Sequence, residues 1–420
     1  MNENERLGTQ RLYALFERYP AVATDSRRAG EGTIFFALRG DRFDGNRFAL
    51  AALDAGAACA VVDDPAVAAS AGEAYAGRIV TVDDALAALQ ALACEHRRRL
   101  GIPLLAIVGS NGKTTTKELV SRVLAEKYAV YATQGNLNNH IGVPLTLLAM
   151  TRDTELGVVE MGASACGEIA LLCAIAEPNF GLITNVGRAH LEGFGGVEGV
   201  RRGKGELYDY LAANGGRAFV RRDDGTLVKM AAERGNLAVE FYDPAIADGV
   251  GHRLEGAFNR LNVAAAMAVG RYFGVDEERI RDAVAAYRPD NNRSQRRSTA
   301  RNTLVVDCYN ANPSSMRAAL ANFAKEPSEQ PKAVVLGDMG ELGKYAEAEH
   351  AGIVELLQQL GIGEVYLVGK LFSEAGRGIY PAFADAAALN EYLQEHPIHG
   401  RLILVKGSRT MKLESVAERL

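Results

Sequence analysis

Short apolar runs alternate with helix-period stretches along most of the chain. Ile34–Leu38, Ala58–Val62 and Ile79–Val82 have the length and character of buried strands, and Phe48–Ala55 and Ala85–Arg98 carry apolar residues at helical spacing. The alternation resumes with strand Leu104–Val108, a helix over Thr114–Lys127, and strands Leu156–Glu160, Phe180–Thr184 and Ala218–Val220. It starts a third time with strand Leu304–Asp307, helix Ser314–Ala324, strand Ala333–Leu336, helix Ala346–Leu360, and strands Glu364–Val368 and Leu402–Val405. Such alternation predicts the α/β class, with parallel sheets covered by helices.

Two breaks divide the pattern. Arg97-Arg98-Arg99 closes a helix and leads into Gly101-Ile102-Pro103, and the polar stretch Arg288–Asn302, with Pro289 and Asp290-Asn291-Asn292, reads as a linker. Three domains are therefore expected, over 1–98, 99–298 and 299–420, and 420 residues are enough for three cores.

Charge and composition narrow the function. Lys plus Arg number 47 against 52 Asp plus Glu, a net charge of −5, which argues against a protein that neutralises nucleic-acid phosphates. At 48% hydrophobic residues the chain is not a disordered one. No run approaches the roughly 18 apolar residues of a membrane span, and Met1–Arg11 has no apolar stretch of the secretory kind. The five cysteines are odd in number and form no close CxxC pair, so they read as thiols of a reducing compartment. A cytoplasmic protein is expected.

The first chemical signal is Gly109-Ser110-Asn111-Gly112-Lys113-Thr114-Thr115-Thr116, directly after the strand Leu104–Val108 and opening a helix. Glycines let backbone N–H groups turn toward phosphate oxygens, and the helix N-terminus supplies positive potential. Lys113 can bridge phosphates, and the Thr114 hydroxyl can ligate Mg²⁺. The spacing is G-x-x-G-K-T, since the residue five before Gly112 is Ile107, so this is not the loop of a generic nucleotide kinase. Glu160 ends one apolar strand and His190 follows another, which puts both at the carboxyl edge of a parallel sheet, where ligands bind.

This loop resembles the ATP loop of the Mur ligases, the enzymes that build the peptide of bacterial peptidoglycan precursors, and of the related folylpolyglutamate synthases. Further stretches resemble the branch that joins D-alanyl-D-alanine to UDP-N-acetylmuramoyl-tripeptide. They are Gln134–Pro144, Glu160-Met161-Gly162-Ala163, Ala189–Gly195, Asp307–Met316, Leu336–Gly343 and Val405-Lys406-Gly407-Ser408-Arg409, in unbroken order between about Thr24 and Arg409.

The resemblance implies a UDP-substrate domain, a central P-loop ATPase-like domain and a Rossmann-like C-terminal domain. It implies an ATP-dependent peptide ligase that works through an acyl phosphate. Gly109, Ser110, Asn111, Gly112, Lys113, Thr114 and Thr115 would cradle ATP, Asn259 would read adenine, Arg293 would approach the phosphates, and Asp307 and Tyr309 would meet the ribose and base. Thr114, Glu160 and His190 would hold two Mg²⁺ ions, with Lys113, Lys204 and His190 catalytic. Lys204 matches a lysine modified to a carbamate, since an ammonium beside two cations is disfavoured and a neutral amine takes up CO₂. Thr24, Asp25, Ser26 and Arg27 would bind the UDP moiety, and Asn310, Asn312, Asp338, Lys406 and Arg409 are the candidates for the amine substrate. Phe258 stands where the family has a histidine, and the segment between Phe219 and Gly256 is shorter than in many relatives, with only Glu240–Pro244 and a Gly-containing loop, which implies a more open adenine side.

Read without the resemblance, several of these residues have other uses. Lys204 beside Arg201 and Arg202 fits a solvated basic helix, Asp307 an N-cap, Tyr309 core packing, and Thr24–Arg27 a capped turn. Two other functions compete, a ligase adding a single third amino acid and a P-loop nucleotide-binding protein with no ligase step. A monomer acting on small molecules is expected, with no nucleic acid and no membrane span.

Overall fold

The computed structural model describes residues 3–41, 43–254, 256, 258–289 and 295–420, with side chains from residue 7 onward. Three α/β units follow one another along the chain, each on its own sheet. The first holds β1 (Ala21–Ala23), β2 (Thr33–Phe36), a hairpin of β3 (Arg39–Gly40) and β4 (Phe43–Asp44), then β5 (Cys59–Val62) and β6 (Ile79–Thr81). Its parallel sheet has the order β1-β2-β5-β6.

The helix Ala85–Leu100 joins this unit to the next. Asp84 caps it by accepting from the Ala87 N–H, three arginines sit in its last turn, and Gly101 ends it in the left-handed conformation at φ 63°. It runs two residues beyond the expected end, and the chain crosses to the central sheet in the three residues 101–103. This junction is clamped. Arg97, 5% exposed, donates from Nε to the Ala176 carbonyl at 3.0 Å and from its guanidinium to Asn179 Oδ1 at 2.8 Å. Nε2 of His96 meets the Met150 carbonyl at 2.9 Å.

The central sheet contains β7 (Leu104–Val108), β8 (Val130–Ala132), β9 (Leu156–Glu160), β10 (Phe180–Ile183), β11 (Arg217–Arg221) and β12 (Ala238–Tyr242), all parallel, in the order β12-β11-β10-β7-β9-β8. Every residue of β7 and β9 is buried, which is why these strands read as unbroken apolar runs. The winding reverses at β7, with β9 on one side and β10 on the other. A crevice therefore opens at the carboxyl ends of β10, β7 and β9. The segment before Gly256 holds more structure than expected: the helix Gly225–Ala232, capped by Asp224, and the edge strand β12.

The third unit holds β13 (Gln295–Ser298), β14 (Thr303–Asp307), β15 (Lys332–Gly337), β16 (Glu364–Val368), β17 (Ala382–Phe383) and β18 (Leu402–Lys406), in the order β13-β14-β18-β15-β16-β17. All pairings are parallel except that of β13 with β14. The reading of Arg288–Asn302 as linker throughout is corrected here, because Gln295–Ser298 is an edge strand of this sheet. An exposed edge strand is held by backbone pairing and needs no apolar alternation, so Gln-Arg-Arg-Ser gave no strand signal. A cut between 298 and 299 would separate β13 from its own sheet. One continuous apolar cluster, from Phe36 and Leu92 through Val159 and Leu207 to Met316 and Leu336, ties the three units together. Among the described residues no helix is long and apolar enough to cross a membrane, and all five cysteines are free thiols.

Candidate active site

The crevice at the carboxyl ends of β10, β7 and β9 forms a cleft of about 720 Å³, walled on its far side by the third unit. The phosphate loop follows β7. Gly109 (φ 150°) and Gly112 (φ 78°) take backbone conformations that disfavour a side chain, and a Cβ at Gly112 would lie 2.7 Å from Asn262 Oδ1. Gly112 caps the helix Lys113–Ala125, so Lys113, Thr114 and Thr115 form its first turn on the cleft lining. Lys113 Nζ donates to the Gly109 carbonyl at 2.7 Å, a bond that curls the side chain over its own loop. The loop after β10 braces the phosphate loop from the side. Asn185 Oδ1 accepts from the Asn111 N–H at 3.1 Å, and Thr184 Oγ1 and Asn185 Nδ2 donate to the Asn111 carbonyl at 2.6 and 2.9 Å. Sequence reasoning missed both residues. Their position at the end of the strand beside β7 was the available signal.

Glu160, at the carboxyl end of β9, is 2% exposed. Asn138 Nδ2 donates to one of its oxygens at 2.8 Å, and the other oxygen is buried with no hydrogen-bond partner among the described residues. A buried carboxylate oxygen left bare is costly unless something positive meets it, and it faces a cleft lined also by Thr114 and His190. Glu160 and Thr114 offer oxygen to a hard divalent cation, and His190 offers a ring nitrogen. His190 adopts the left-handed conformation (φ 51°), and its ring abuts the carboxylate of Glu341, itself left-handed (φ 60°), from the third unit. That contact holds Glu341 below the usual carboxylate range. Two strained non-glycine residues meeting across a unit boundary mark a place where geometry is imposed by tertiary structure.

Lys204 lies on the helix Val197–Ala213 and is 1% exposed, so it is not a solvated lysine. Its amine donates to the Ala163 carbonyl at 3.2 Å and sits 4.9 Å from the centre of the Phe194 ring. Burial, together with the charge of Lys113, pushes it down to about 7 against the pull of Glu168 and Glu206. A large neutral fraction near pH 7 makes this amine a nucleophile.

The third unit contributes the facing wall. Asp307 ends β14 and Lys406 ends β18, paired side by side in the sheet register. Lys406 Nζ donates to an Asp307 oxygen at 2.6 Å. Tyr309 and Asn310 line the cleft, and the Arg409 guanidinium lies 5.3 Å from the Tyr309 ring centre. Asn312 caps the helix Pro313–Lys325 and reaches across the boundary, donating from Nδ2 to Asn111 Oδ1 at 2.8 Å. Asp338 is placed elsewhere than on the cleft lining. It accepts from the Leu371 and Phe372 N–H groups at 3.0 and 2.9 Å.

At the nucleotide-base end, Phe258, Leu261, Asn262, Arg221 and Tyr242 line the cleft. Asn259 is 2% exposed, its Oδ1 accepting from Asn262 Nδ2 at 2.8 Å, and Asn262 Oδ1 accepts in turn from Thr116 Oγ1 at 3.1 Å. Arg293 lies outside the described residues. The Thr24–Arg27 turn follows β1 in the first unit, none of whose described residues is on the cleft lining. Asp25 and Arg27 pair with each other at 2.6 Å, and the guanidinium holds the Asp25 carboxyl down to about 2.

A phosphate loop at the switch point of a doubly wound sheet, a bare buried carboxylate beside it, and a second α/β unit closing over both define a three-unit enzyme acting on a nucleotide's phosphates. Sequence models narrow the class: Mur ligase family, catalytic domain matches residues 18–97, Mur ligase middle domain 107–250, and Mur ligase, glutamate ligase domain 292–409. The chain belongs to the Mur ligase family. It is 34% identical to the UDP-N-acetylmuramoyl-tripeptide–D-alanyl-D-alanine ligase of Bacillus subtilis, covering 95% of this chain and 92% of that one. Against the Escherichia coli enzyme of the same name it is 33% identical, covering 95% and 93%. Among solved structures it is similar to MurF from Acinetobacter baumannii, with a TM-score of 0.85 and 28% identity over 98% of this chain and 97% of that one. It is also similar to the MurF ligase of Thermotoga maritima in complex with ADP, with a TM-score of 0.81 and 28% identity over 96% and 97%.

Proposed function

We propose that this chain is the ATP-dependent ligase that joins D-alanyl-D-alanine to UDP-N-acetylmuramoyl-tripeptide, releasing ADP and phosphate. The observation that carries the reading is the bare, buried oxygen of Glu160 in the same cleft as Lys113, Thr114 and His190, in a chain matched over nearly its whole length by relatives of that name. A carboxylate does not acylate an amine in water, because oxide is a poor leaving group. A carboxylate oxygen of the tripeptide attacks the γ-phosphorus of ATP, ADP leaves, and an acyl phosphate forms. The dipeptide amine then attacks the acyl carbon, and the tetrahedral adduct expels phosphate.

The residues serve this path mostly by position and charge. The loop Gly109–Thr115 offers N–H groups to the phosphates, and Lys113 neutralises charge on the group in transfer. Thr114, Glu160 and His190 would hold Mg²⁺, which when bound spreads the charge of the transferring phosphoryl group. Lys204, buried and with its amine pushed toward the neutral form, is the proposed site of a carbamate, whose negative charge would face the same cations. Asp307 and Tyr309 are assigned to the ribose and base, Asn259 to adenine, and Arg293 to the phosphates. Thr24, Asp25, Ser26 and Arg27 are assigned to the UDP moiety, and Asn310 and Asn312 to the acceptor side. A cytoplasmic monomer is proposed.

The test is phosphate release with ATP, UDP-N-acetylmuramoyl-tripeptide and a choice of amines. Release with D-alanyl-D-alanine but not with free lysine or diaminopimelate is expected. Release with a free amino acid acting on the UDP-dipeptide would move the chain to the ligase that adds the third residue. Turnover indifferent to any UDP-muramoyl peptide would make it a nucleotide-binding protein without a ligase step.

A further inference from the structure

Lys406 ends β18 and is 1% exposed, yet it lines the cleft. Two of its donors are committed, to Asp307 at 2.6 Å and to the Asn310 carbonyl at 3.3 Å. With two of its three N–H donors so committed and its side chain 1% exposed, this ammonium is held by the protein and not offered to a substrate. Asp307 is different. Its side chain retains 17% exposure at the cleft, and only one of its oxygens is taken by Lys406. The pairing is built into the sheet, since Asp307 and Lys406 are register partners at the carboxyl ends of adjacent parallel strands. The lysine therefore fixes which carboxylate oxygen turns outward and in what direction. A carboxylate repels a nucleotide's phosphates, whereas the ribose hydroxyls of the same nucleotide are donors it can accept from.

We infer that Lys406 is a positioning residue for the nucleotide site, holding Asp307 so that its free oxygen accepts from a ribose hydroxyl of the adenine nucleotide. This removes Lys406 from the acceptor-amine side, where the sequence had suggested it. The inference rests on the proposed ATP site but not on the ligation step, so it is tested by binding. In calorimetric titrations of the full-length protein, ADP should bind about tenfold or more tighter than 2′,3′-dideoxy-ADP, the range of one hydrogen bond to a charged acceptor. In Lys406→Met the preference should fall to within about twofold, by loss of affinity for ADP alone. Asp307→Asn carries the same readout and serves if Lys406→Met does not fold. In the double variant the two losses should not add.

Retention of the ribose preference in both folded single variants would overturn the inference. So would a rise in the KM for D-alanyl-D-alanine in Lys406→Met with nucleotide binding unchanged, which would return the lysine to the acceptor side. Failure of the wild-type protein to release phosphate with the dipeptide, alongside a normal ribose preference, would instead overturn the proposed reaction and leave this inference standing.

Discussion

Two lysines are each 1% exposed, Lys406 on the cleft lining and Lys204 bonded to the carbonyl of the lining residue Ala163, and they are set up for opposite tasks. Lys204, in the central unit, has a carbonyl and an aromatic ring for company, and a second cation, Lys113, in its field. Lys406, in the third unit, has a carboxylate at 2.6 Å. Burial alone does not decide what an amine does. Without a counter-ion it is driven toward the neutral, nucleophilic form, and with one it becomes a fixed strut. The first arrangement sacrifices stability for reactivity, and the second uses a charge pair to orient a neighbour.

The largest effect expected bears on Lys113, the cation whose charge acts on Lys204. Lys113→Ala should lower phosphate release by at least about a thousandfold, with the fold intact by circular dichroism. Wild-type-like turnover would refute the phosphate-loop assignment. Lys204→Ala should lose activity by about a hundredfold or more, and short carboxylates or bicarbonate should restore part of it. Loss without rescue would leave Lys204 as a packed amine, and no loss at all would end the carbamate proposal.

Stability should separate the two lysines by sign. Asp307→Ala strands the Lys406 ammonium and should destabilise the protein by about 3 kcal/mol in urea denaturation. Lys204→Met removes an amine with no counter-ion and should stabilise the metal-free protein at pH 7 by roughly 2–4 kcal/mol. The pH dependence follows from the same difference. The Lys204 amine titrates near 7 when folded and about 10.4 when unfolded, so above pH 7 the unfolded chain holds more protons and stability rises with pH. The difference between wild type and Lys204→Met should narrow by up to about 1.4 kcal/mol per unit between pH 7 and 9, and should be flat below about pH 6. A difference independent of pH would mean the amine is not depressed. The smallest effect expected is that of Glu349→Gln. Glu349 is 5% exposed and accepts from Arg188 Nε at 2.6 Å across the unit boundary, so its loss should cost about 1 kcal/mol.

How much could be read beforehand differs between strands and side chains. β7 and β9 coincide with apolar runs at both ends, because a strand buried on two faces has no polar interruption. β13 was invisible, since its reason for being a strand lies in β14 and not in its own residues. Glu160 and His190 were identifiable as strand-end residues beside a phosphate loop. Asn185 and Asn262 were not singled out, because amides recur throughout polar loops and only the meeting of separate segments gives these two a partner in the phosphate loop and its helix.

The sequence alone determined the α/β class, the three units, the phosphate loop and the set of residues that resemble the Mur ligases, because each is a local pattern that survives without knowledge of neighbours. Tertiary structure decided which buried amine has a counter-ion, that Asp338 faces a helix end and not the cleft, and that Asn312 reaches Asn111. Charge state and orientation depend on what stands within a few ångströms, and strands 99 residues apart in sequence, such as those ending in Asp307 and Lys406, become neighbours only when the sheet forms.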